Sequence, residues 1–325
     1  MIGSNGQKFK ILCKPHDDVR KDARLMEFTS TVDKLLLKDN ETSKRLLRIK
    51  TYHVTPLNED CGLIEWIDGA VPIRSILFKL FTAHGVAINW AEVKKLLTGI
   101  PEEKLLENFK RVKGRYFPIL YEWFLEAFPE PSSWLLSRSR FSRSTAVMSM
   151  LGYILGLGDR HGENLLLLNQ TGEVLHVDFD CLFDKGLELE MPERVPFRLT
   201  EQMVDALGAA GYEGVFRKSA EATLQLLRQY EEMLMTNLET FLHDPIVDWS
   251  VKRKQRSSNK RRMIHGLMAA RSPEEALSSI QHKIKGIRYQ ESIPLSVSGQ
   301  VEYLLLQATS DENLSKMYIG WAPFL

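Results

Sequence analysis

One β-hairpin interrupts a part of the chain that is otherwise predicted to be helical. Its two strands are predicted at Leu165–Asn169 and Glu173–Asp178, on either side of an Asn-Gln-Thr-Gly turn. Asn164 and Asp178 are equidistant from Thr171 in the middle of that turn, so they are predicted to face each other at the open end of the hairpin. An amide oxygen beside a carboxylate suits Mg²⁺, which takes a few protein oxygens together with phosphate oxygens and water. The hairpin is therefore predicted to end in a metal site.

The segment that leads into the hairpin combines glycines with polar side chains. It reads Gly-Leu-Gly-Asp-Arg-His-Gly-Glu-Asn over residues 156–164, so Asp159 and His161 lie at the same end as the predicted metal site. A carboxylate there can accept a hydrogen bond from an attacking hydroxyl, and an imidazole can share the proton or stabilise charge on a phosphoryl group. Taken alone, Asp-Arg-His is more often a surface salt-bridge cluster. Its place between glycines and before the hairpin favours catalysis.

The chain divides into an α+β part and a larger helical part. An Asn-Gly turn signal precedes the first strand and leaves only two residues for a partner strand, so the chain is expected to begin inside a sheet, as the C-terminal piece of a longer protein. Up to about residue 69, the elements are predicted at Phe9–Cys13, Val19–Lys38, Ile49–Thr55 and Cys61–Ile67. Beyond it, helices are predicted at Ile73–Ala83, Ala91–Leu97, Glu102–Arg111, Pro118–Phe128, Arg140–Leu155, from about Thr200 to Leu242, and over much of Pro273–Leu325.

Composition excludes several classes of protein. The 325 residues include 43 Lys or Arg and 42 Asp or Glu, which argues against a general electrostatic attraction to nucleic acid. Cys13, Cys61 and Cys181 are odd in number and far apart, so neither a disulfide framework nor a zinc site is indicated. The longest weakly polar run, Thr145–Gly158, is shorter than the roughly 20 apolar residues that span a bilayer, so no membrane segment is predicted.

The hairpin and its flanks resemble the centre of a known family. The run Gly152–Asn164 looks like the catalytic loop of the phosphatidylinositol 3-kinase-related protein kinases, and His-Val-Asp-Phe at 176–179 looks like their metal-binding motif. Asp180 replaces the usual Gly of that motif, and the family's checkpoint members of the ATR type also depart from Gly there. The resemblance implies an α+β, bilobal protein-kinase-like fold. Its parts would be a partial small lobe at 1–69, a mainly helical large lobe at 70–250, a regulatory linker at 251–292 and a helical FATC domain at 293–325.

The resemblance also implies an ATP site whose phosphate end lies near the first strand. From the residues alone, Lys14 could be a solvated lysine in a charged turn. The family aligns it with the lysine that holds the α- and β-phosphates, and it aligns Asp17 and Asp22 with the partner carboxylates. Lys14 is thus expected to act with Asp159 and His161 in catalysis, with Mg²⁺ or Mn²⁺ as the metal.

The adenine end is implied by a resemblance of Cys61–Ile67 to the hinge between the two lobes. The Glu65 carbonyl and the Ile67 N–H would bind the adenine by hydrogen bonds. Trp66 would stack on the ring, although the residues alone would favour a core tryptophan. The other residues that are expected to line the pocket are Leu12, Tyr52, Ile64, Leu166 and Val177.

Two segments near the C-terminus have predicted roles. Pro294–Leu325 resembles the family's terminal domain, and Trp321 and Phe324 are predicted to be buried against the large lobe. The basic run Lys252–Arg262 is interpreted as a solvated regulatory loop, with nuclear import or phosphate contact as the alternative.

The family resemblance implies phosphorylation of Ser or Thr followed by Gln, in the nucleus, in response to DNA damage or stalled replication. It further implies an ATR-interacting-type regulatory subunit bound mainly to regions upstream, activator proteins, a dimer of heterodimers and only indirect contact with DNA. The alternatives are a phosphoinositide lipid kinase of the same fold and an inactive scaffold. Against the scaffold, the five residues expected to be essential are all present: Lys14, Asp159, His161, Asn164 and Asp178.

The charge of the activation loop separates a protein kinase from a lipid kinase. Between residues 178 and 200 the bases are Lys185, Arg194 and Arg198, and the acids are Asp178, Asp180, Asp184, Glu188, Glu190 and Glu193. The balance is 3 minus 6, or −3, and this negative surface would repel a headgroup that carries several phosphates. A protein substrate is therefore predicted.

Overall fold

A computed structural model describes residues 1–244, 247, 270, 272–288 and 293–325, and it has an α+β, bilobal architecture. The small lobe is built on one antiparallel sheet of β1 (Ile11–Pro15), β2 (Val54–Asn58) and β3 (Cys61–Glu65), in the order β1-β3-β2. Helix α1 (Arg20–Lys38) packs on β2, and the short helix α2 (Asn40–Lys44) follows it. Helix α1 also contacts helices of the large lobe, so it lies at the boundary between the lobes.

The N-terminal turn is present as predicted, but the first strand is displaced. Ile2 pairs with Lys8 across the turn, and Gly6 has φ of +76°, the left-handed conformation that an Asn-Gly turn requires. The strand was expected at Phe9–Cys13 and is found at Ile11–Pro15. Lys14 consequently lies within β1, opposite Gly62 of β3.

The second strand of the small lobe was predicted too early. It was expected at Ile49–Thr55, followed by a turn that began at Pro56, whereas β2 runs from Val54 to Asn58 through the proline. Proline is tolerated because β2 is an edge strand, and the register shifts there. Ile49 and Tyr52 are buried without being part of a strand, so their apolar pattern reflects packing alone.

A second small sheet carries the hairpin. It consists of β4 (Ala70–Pro72), β5 (Leu165–Leu168) and β6 (Val174–His176), all antiparallel and in that order. Strand β4 was not predicted, because three residues are too few to show a period. It fixes the hairpin to the start of the large lobe, where helix α3 begins at Ile73.

The rest of the described chain is mostly helical, as predicted, apart from the loops, of which residues 177–200 form the longest. The helices of the large lobe are α3 (Ile73–Ala83), α4 (Trp90–Leu97), α5 (Glu102–Arg115), α6 (Leu120–Ala127), α7 (Pro131–Leu155), α8 (Glu201–Ala206), α9 (Val215–Gln229) and α10 (Glu231–Leu242). The later helices are α11 (Pro273–Lys285), α12 (Val297–Thr309) and α13 (Asp311–Ser315). Two short 3₁₀ helices lie at Lys185–Glu188 and Ile319–Trp321.

Helix α7 is the central element of the large lobe and leads directly to the predicted catalytic loop. It starts nine residues before the predicted Arg140, with Pro131 in its first turn, where a missing N–H costs no hydrogen bond. Its later turns are buried on nearly every side, and α9 packs along it. It ends at Gly156, which has φ of +61° and turns the chain toward residues 157–164.

The terminal segment packs against the large lobe, which confirms the predicted burial. Trp321 is 3% exposed and Phe324 is 2% exposed. The Phe324 ring lies between Trp90 of α4 and Tyr116 after α5, with centroid distances of 5.8 and 5.2 Å. The buried guanidinium of Arg198 donates to the carbonyls of Trp321, Ala322 and Leu325.

The basic run Lys252–Arg262 and most of the predicted linker at 251–292 lie outside the described residues. Among the helices that the structure does describe, none combines the length and the apolarity needed to cross a lipid bilayer.

Candidate active site

The hairpin register differs by one residue from the prediction. Leu165 pairs with His176, and the Val177 N–H donates to the Asn164 carbonyl at 3.1 Å, so Asn164 faces Val177 and not Asp178. The four-residue loop 169–172 is centred between residues 170 and 171, half a residue before the assumed centre. Asp178 also leaves the strand direction, because its φ is +61°. The predicted opposition of Asn164 and Asp178 is therefore wrong, although both residues lie at the same, open end of the ladder.

Asn164 is oriented by the catalytic loop. Its side-chain Nδ2 donates to the Asp159 carbonyl at 3.0 Å, and the residue is buried. Because the amide nitrogen has this partner, Oδ1 is the atom left to bind a cation. Asp178, in contrast, is exposed and presents its carboxylate to solvent.

Asp159 and His161 are close to each other in the loop. The Asp159 backbone has φ of +56°, and its N–H donates to Glu193 Oε1 at 2.9 Å. The Glu163 N–H donates to His161 Nδ1 at 3.2 Å, so the imidazole proton lies on Nε2, which is 3.9 Å from Asp159 Oδ2. Burial lowers the pKa of His161, against the charge of Asp159. The ring is therefore neutral at neutral pH and is a hydrogen-bond donor on the side of Asp159.

Lys14 lies beside its two expected carboxylates. Its Nζ is 3.0 Å from Asp17 Oδ2. Burial works to lower the pKa of Lys14, but the bond to Asp17 and the charges of Asp17, Asp22 and Asp178 outweigh it and raise the pKa. Lys14 is therefore close enough to the end of the hairpin for the charge of Asp178 to act on it.

Asp22 connects helix α1 to the metal-binding motif. The Phe179 N–H is a hydrogen-bond donor to its carboxylate. Burial raises the pKa of Asp22 to about 6, the charges of Asp180 and Asp178 add to the rise, and Lys14 opposes it. Three carboxylates therefore repel one another here, and a bound cation would relieve that repulsion.

These groups fit a magnesium ion that is bound mainly by nucleotide. The candidate donors are all oxygens, Oδ1 of Asn164 and the carboxylate of Asp178. Within the described residues, no group of three or more His, Cys, Asp or Glu side chains is placed to hold a metal by itself. Mg²⁺ commonly binds one or two protein oxygens and takes its other ligands from phosphates and water.

The hinge leaves one main-chain acceptor without its usual partner in the sheet. The Glu65 N–H donates to the His53 carbonyl at 2.8 Å, and the return bond of an antiparallel pair would run from the His53 N–H to the Glu65 carbonyl. Instead, the His53 N–H donates to the Glu65 carboxylate at 2.9 Å. The Glu65 carbonyl is thus left for a ligand.

The remaining hinge and lining residues are placed around the cleft with different exposures. Trp66 is 52% exposed and Leu12 is 40% exposed, so Trp66 is not a core tryptophan. Ile64, Ile67, Leu166 and Val177 are half-buried, and Tyr52 is buried. Burial raises the pKa of Tyr52, and the charge of Asp22 adds to the rise.

Two functional neighbours were not predicted from the sequence. The Arg160 side chain turns inward and is 3% exposed, whereas a residue in a polar loop is expected to point outward. Glu193 lies 34 positions beyond Asp159 and accepts its N–H. The one signal for Glu193 is a pair of loop glycines: a Cβ at Gly158 or Gly186 would lie 2.5 or 2.4 Å from its Oε2.

Similarity to known proteins is consistent with this geometry. The family model described as phosphatidylinositol 3- and 4-kinase matches residues 8–251, and the FATC domain model matches residues 294–325. The chain is 48% identical to protein kinase rad3 of Schizosaccharomyces pombe and 46% identical to serine/threonine-protein kinase MEC1 of Candida glabrata. It is 43% identical to serine/threonine-protein kinase ATR of Arabidopsis thaliana.

The three alignments cover 99–100% of this chain but only 12–13% of the relatives, so the chain spans a small part of their length. Among solved structures, the FAT and kinase domain of CtTel1 superposes with a TM-score of 0.87 at 35% identity, over all of this chain and 22% of that one. The structure described as the complete CtTel1 dimer with C2 symmetry also gives a TM-score of 0.87 at 35% identity, over all of this chain and 12% of that chain.

Proposed function

This chain belongs to the phosphatidylinositol 3- and 4-kinase family and carries an FATC domain at residues 294–325, and on this basis we propose that it is the catalytic part of a serine/threonine protein kinase. The observation that carries the proposal is the grouping of Asp159, His161 and Asn164 in one loop, beside Asp178 and opposite Lys14. The names of the relatives, which include serine/threonine-protein kinases, support it.

We assign the catalytic roles from the contacts of each group. Lys14, held by Asp17, binds the ATP phosphates as a point charge. The Asp159 carboxylate accepts the proton of the substrate hydroxyl as that oxygen attacks the γ-phosphorus. The bond from the γ-phosphorus to the bridging oxygen breaks, and ADP leaves. The neutral His161 ring donates from Nε2, beside Asp159, toward the charge that develops on the transferred group.

The proposed cofactors are ATP with Mg²⁺ or Mn²⁺. Asn164 Oδ1 and the Asp178 carboxylate would hold the metal, which neutralises phosphate charge when bound. The exposed Trp66 would stack on the adenine. The free Glu65 carbonyl and the Ile67 N–H would bind its edge.

Charge favours a protein substrate over a phosphoinositide. Arg198, one of the three bases between residues 178 and 200, is fully buried against carbonyls of the tail and cannot meet a headgroup. Two of the acids are also engaged within the protein, because Asp184 pairs with Lys283 and Glu193 accepts the Asp159 N–H. The other charged residues of this stretch are Lys185 and Arg194 against Asp178, Asp180, Glu188 and Glu190, so the acids outnumber the bases.

We further propose that the kinase acts on Ser/Thr-Gln sites in DNA-damage and replication-stress signalling in the nucleus. Relatives of the rad3, ATR and MEC1 type support this setting. The proposed partners are an ATR-interacting-type subunit and activator proteins, in a dimer of heterodimers that contacts DNA indirectly. A solved relative described as a C2 dimer supports dimerisation. The proposed parts of the chain are a partial small lobe at 1–69, a large lobe at 70–250, a regulatory linker at 251–292 and the FATC domain at 293–325.

The test compares substrates with the intact protein at one ATP concentration. A Ser-Gln peptide should be phosphorylated, and peptides with Ala-Gln or Ser-Ala in its place should not. Vesicles with phosphatidylinositol or its bisphosphate should show no comparable turnover. Efficient lipid phosphorylation would reverse the assignment, and no transfer to any substrate would favour the inactive scaffold.

A further inference from the structure

Arg160 is a buried cation, and each nitrogen of its guanidinium donates to a main-chain carbonyl. Its Nε donates to the Gly158 carbonyl at 2.9 Å, and Nη1 donates to the Val177 carbonyl at 2.8 Å. Nη2 donates to the Asp178 carbonyl, and the guanidinium lies 5.5 Å from the centre of the Phe179 ring. One side chain therefore joins the catalytic loop to the carbonyls of the two peptide units on either side of the Asp178 Cα.

The backbone around these carbonyls has little regular structure to hold it. Asp159 and Asp178 both have left-handed φ angles, +56° and +61°, so neither belongs to a helix or to the sheet. The β5–β6 ladder ends before it reaches Asp178, because its last bond runs from the Val177 N–H to the Asn164 carbonyl. The direction of the Asp178 side chain thus depends on two successive peptide units, and Arg160 binds the carbonyl of each.

The charge of Arg160 is costly to bury, which argues that the guanidinium has a specific role. Burial lowers the pKa of Arg160, and the charges of Asp178, Asp159 and Glu193 oppose this effect. An apolar side chain of similar volume would avoid the desolvation cost. A planar group with donors in a fixed fork is what three converging carbonyls require, and a lysine cannot reproduce it.

We propose that Arg160 is the positioning residue that fixes the metal-binding Asp178 relative to Asp159, an inference that rests on the proposed function. The distance between these carboxylates decides whether a metal-bound nucleotide and a substrate hydroxyl meet in line. Loss of the guanidinium should weaken binding of metal-nucleotide, because Asp178 would no longer be held toward it. A residue that served only folding would change stability without changing metal dependence.

Arg198 supplies a matched control for the substitution Arg160→Lys. It is also a buried arginine that binds three carbonyls, at 2.7, 3.0 and 2.6 Å, and it lies 4.3 Å from the centre of the Trp321 ring. Its partners belong to the terminal segment and not to the metal-binding motif. Arg198→Lys therefore copies the chemical change and the loss of buried hydrogen bonds at a different place.

The measurement is an Mg²⁺ titration of a fluorescent ATP analogue bound to the intact protein, with kcat and peptide KM measured in parallel. For Arg160→Lys, half-saturating Mg²⁺ should rise about 10-fold or more and kcat should fall by a similar factor, as for other groups that orient a metal ligand. The peptide KM should stay near wild type. Arg198→Lys should lower the melting temperature and leave half-saturating Mg²⁺ unchanged.

Two outcomes would overturn the inference: Arg160→Lys with wild-type Mg²⁺ dependence, or an equal shift in Arg198→Lys. If Arg160→Lys does not fold, Phe179→Leu is the second variant, because it removes the ring beside the guanidinium and keeps the charge of Arg160. Phe179→Leu should shift the Mg²⁺ dependence in the same direction, and the absence of a shift would refute the role of Arg160. A wild-type protein that binds Mg²⁺ and ATP but phosphorylates nothing would refute the proposed function, while the binding comparison would still decide the role of Arg160.

Discussion

Removal of the Phe324 ring is expected to destabilise the protein strongly. The side chain is 2% exposed and contacts two other rings, Trp90 and Tyr116. Truncation of a core Phe to Ala costs about 3–5 kcal/mol of unfolding free energy. The cavity should not collapse, because Arg198 holds the carbonyls of neighbouring Ala322 and Leu325 in place. We therefore expect Phe324→Ala to cost about 4–5 kcal/mol, near the top of that range.

A thermal melt of the intact protein provides the test. For a chain of this size, ~2 °C per kcal/mol gives a decrease in melting temperature of about 8–10 °C. Activity should fall with stability, because Arg74 connects the tail to the catalytic loop: its side chain donates to the Gly320 carbonyl and its main-chain N–H donates to the Gly162 carbonyl.

Tyr318→Ala is the control, since Tyr318 is 58% exposed and also belongs to the terminal segment. It should leave the melting temperature nearly unchanged. The reasoning fails if Phe324→Ala melts like wild type, or if Tyr318→Ala destabilises as much.

Three further outcomes are expected. Asp178→Asn should remove phosphate transfer to a Ser-Gln peptide and keep the melting temperature, because the side chain is exposed and Asn tolerates a left-handed φ; wild-type turnover would contradict the metal assignment. Glu65→Ala removes the carboxylate that accepts the His53 N–H, so this N–H becomes free to bond the main-chain carbonyl of residue 65. If adenine binds that carbonyl, KM for ATP should rise about 3–10-fold, the equivalent of one hydrogen bond, with kcat unchanged. An unchanged KM would exclude that carbonyl as an adenine acceptor. Burial raises the pKa of Glu193 to about 7, so the folded protein holds a proton there that the unfolded chain releases above its ordinary pKa of 4.5. Stability from this group is therefore present at acidic pH and lost as pH rises through 7. Between pH 7.5 and 5.5 wild type should gain ~2 kcal/mol that Glu193→Gln does not gain, and parallel curves would refute the assignment.

The helices could be predicted because their signals are local. Helix α3 has the predicted bounds, Ile73–Ala83, and α1 begins one residue from the prediction, since a period of 3.6 residues is visible in the sequence itself. Strands depend on partners that are distant in the chain. Strand β2 passes through Pro56 because it is an edge strand, and β4 has only three residues, so neither fact can be read locally.

In the candidate site, too, features that are local in the sequence could be predicted, and features that depend on distant partners could not. Asp159, His161 and Asn164 occur within six positions, so their grouping could be predicted. The hairpin register could not be predicted, because it is set by which residues close the turn. The assumed centre of the turn was wrong by half a residue, and this error moved the predicted partner of Asn164 from Val177 to Asp178. The inward direction of Arg160 depends on carbonyls that only the folded chain brings together.

The left-handed backbone at Asp159 and Asp178 affects how the activity could be lost in evolution. A non-glycine residue in that conformation costs about 1–2 kcal/mol, and the charge of Asp178 also contributes to the repulsion around Asp22. These carboxylates favour folding only through their charges, which partly offset the cost of burying Arg160, so substitution by Asn or Gly at either position should not unfold the chain. Selection for a folded, partner-binding protein would not preserve them. An inactive variant would persist in the cell and compete with the active enzyme for the same partners, so these are the positions where a dominant loss of function should arise.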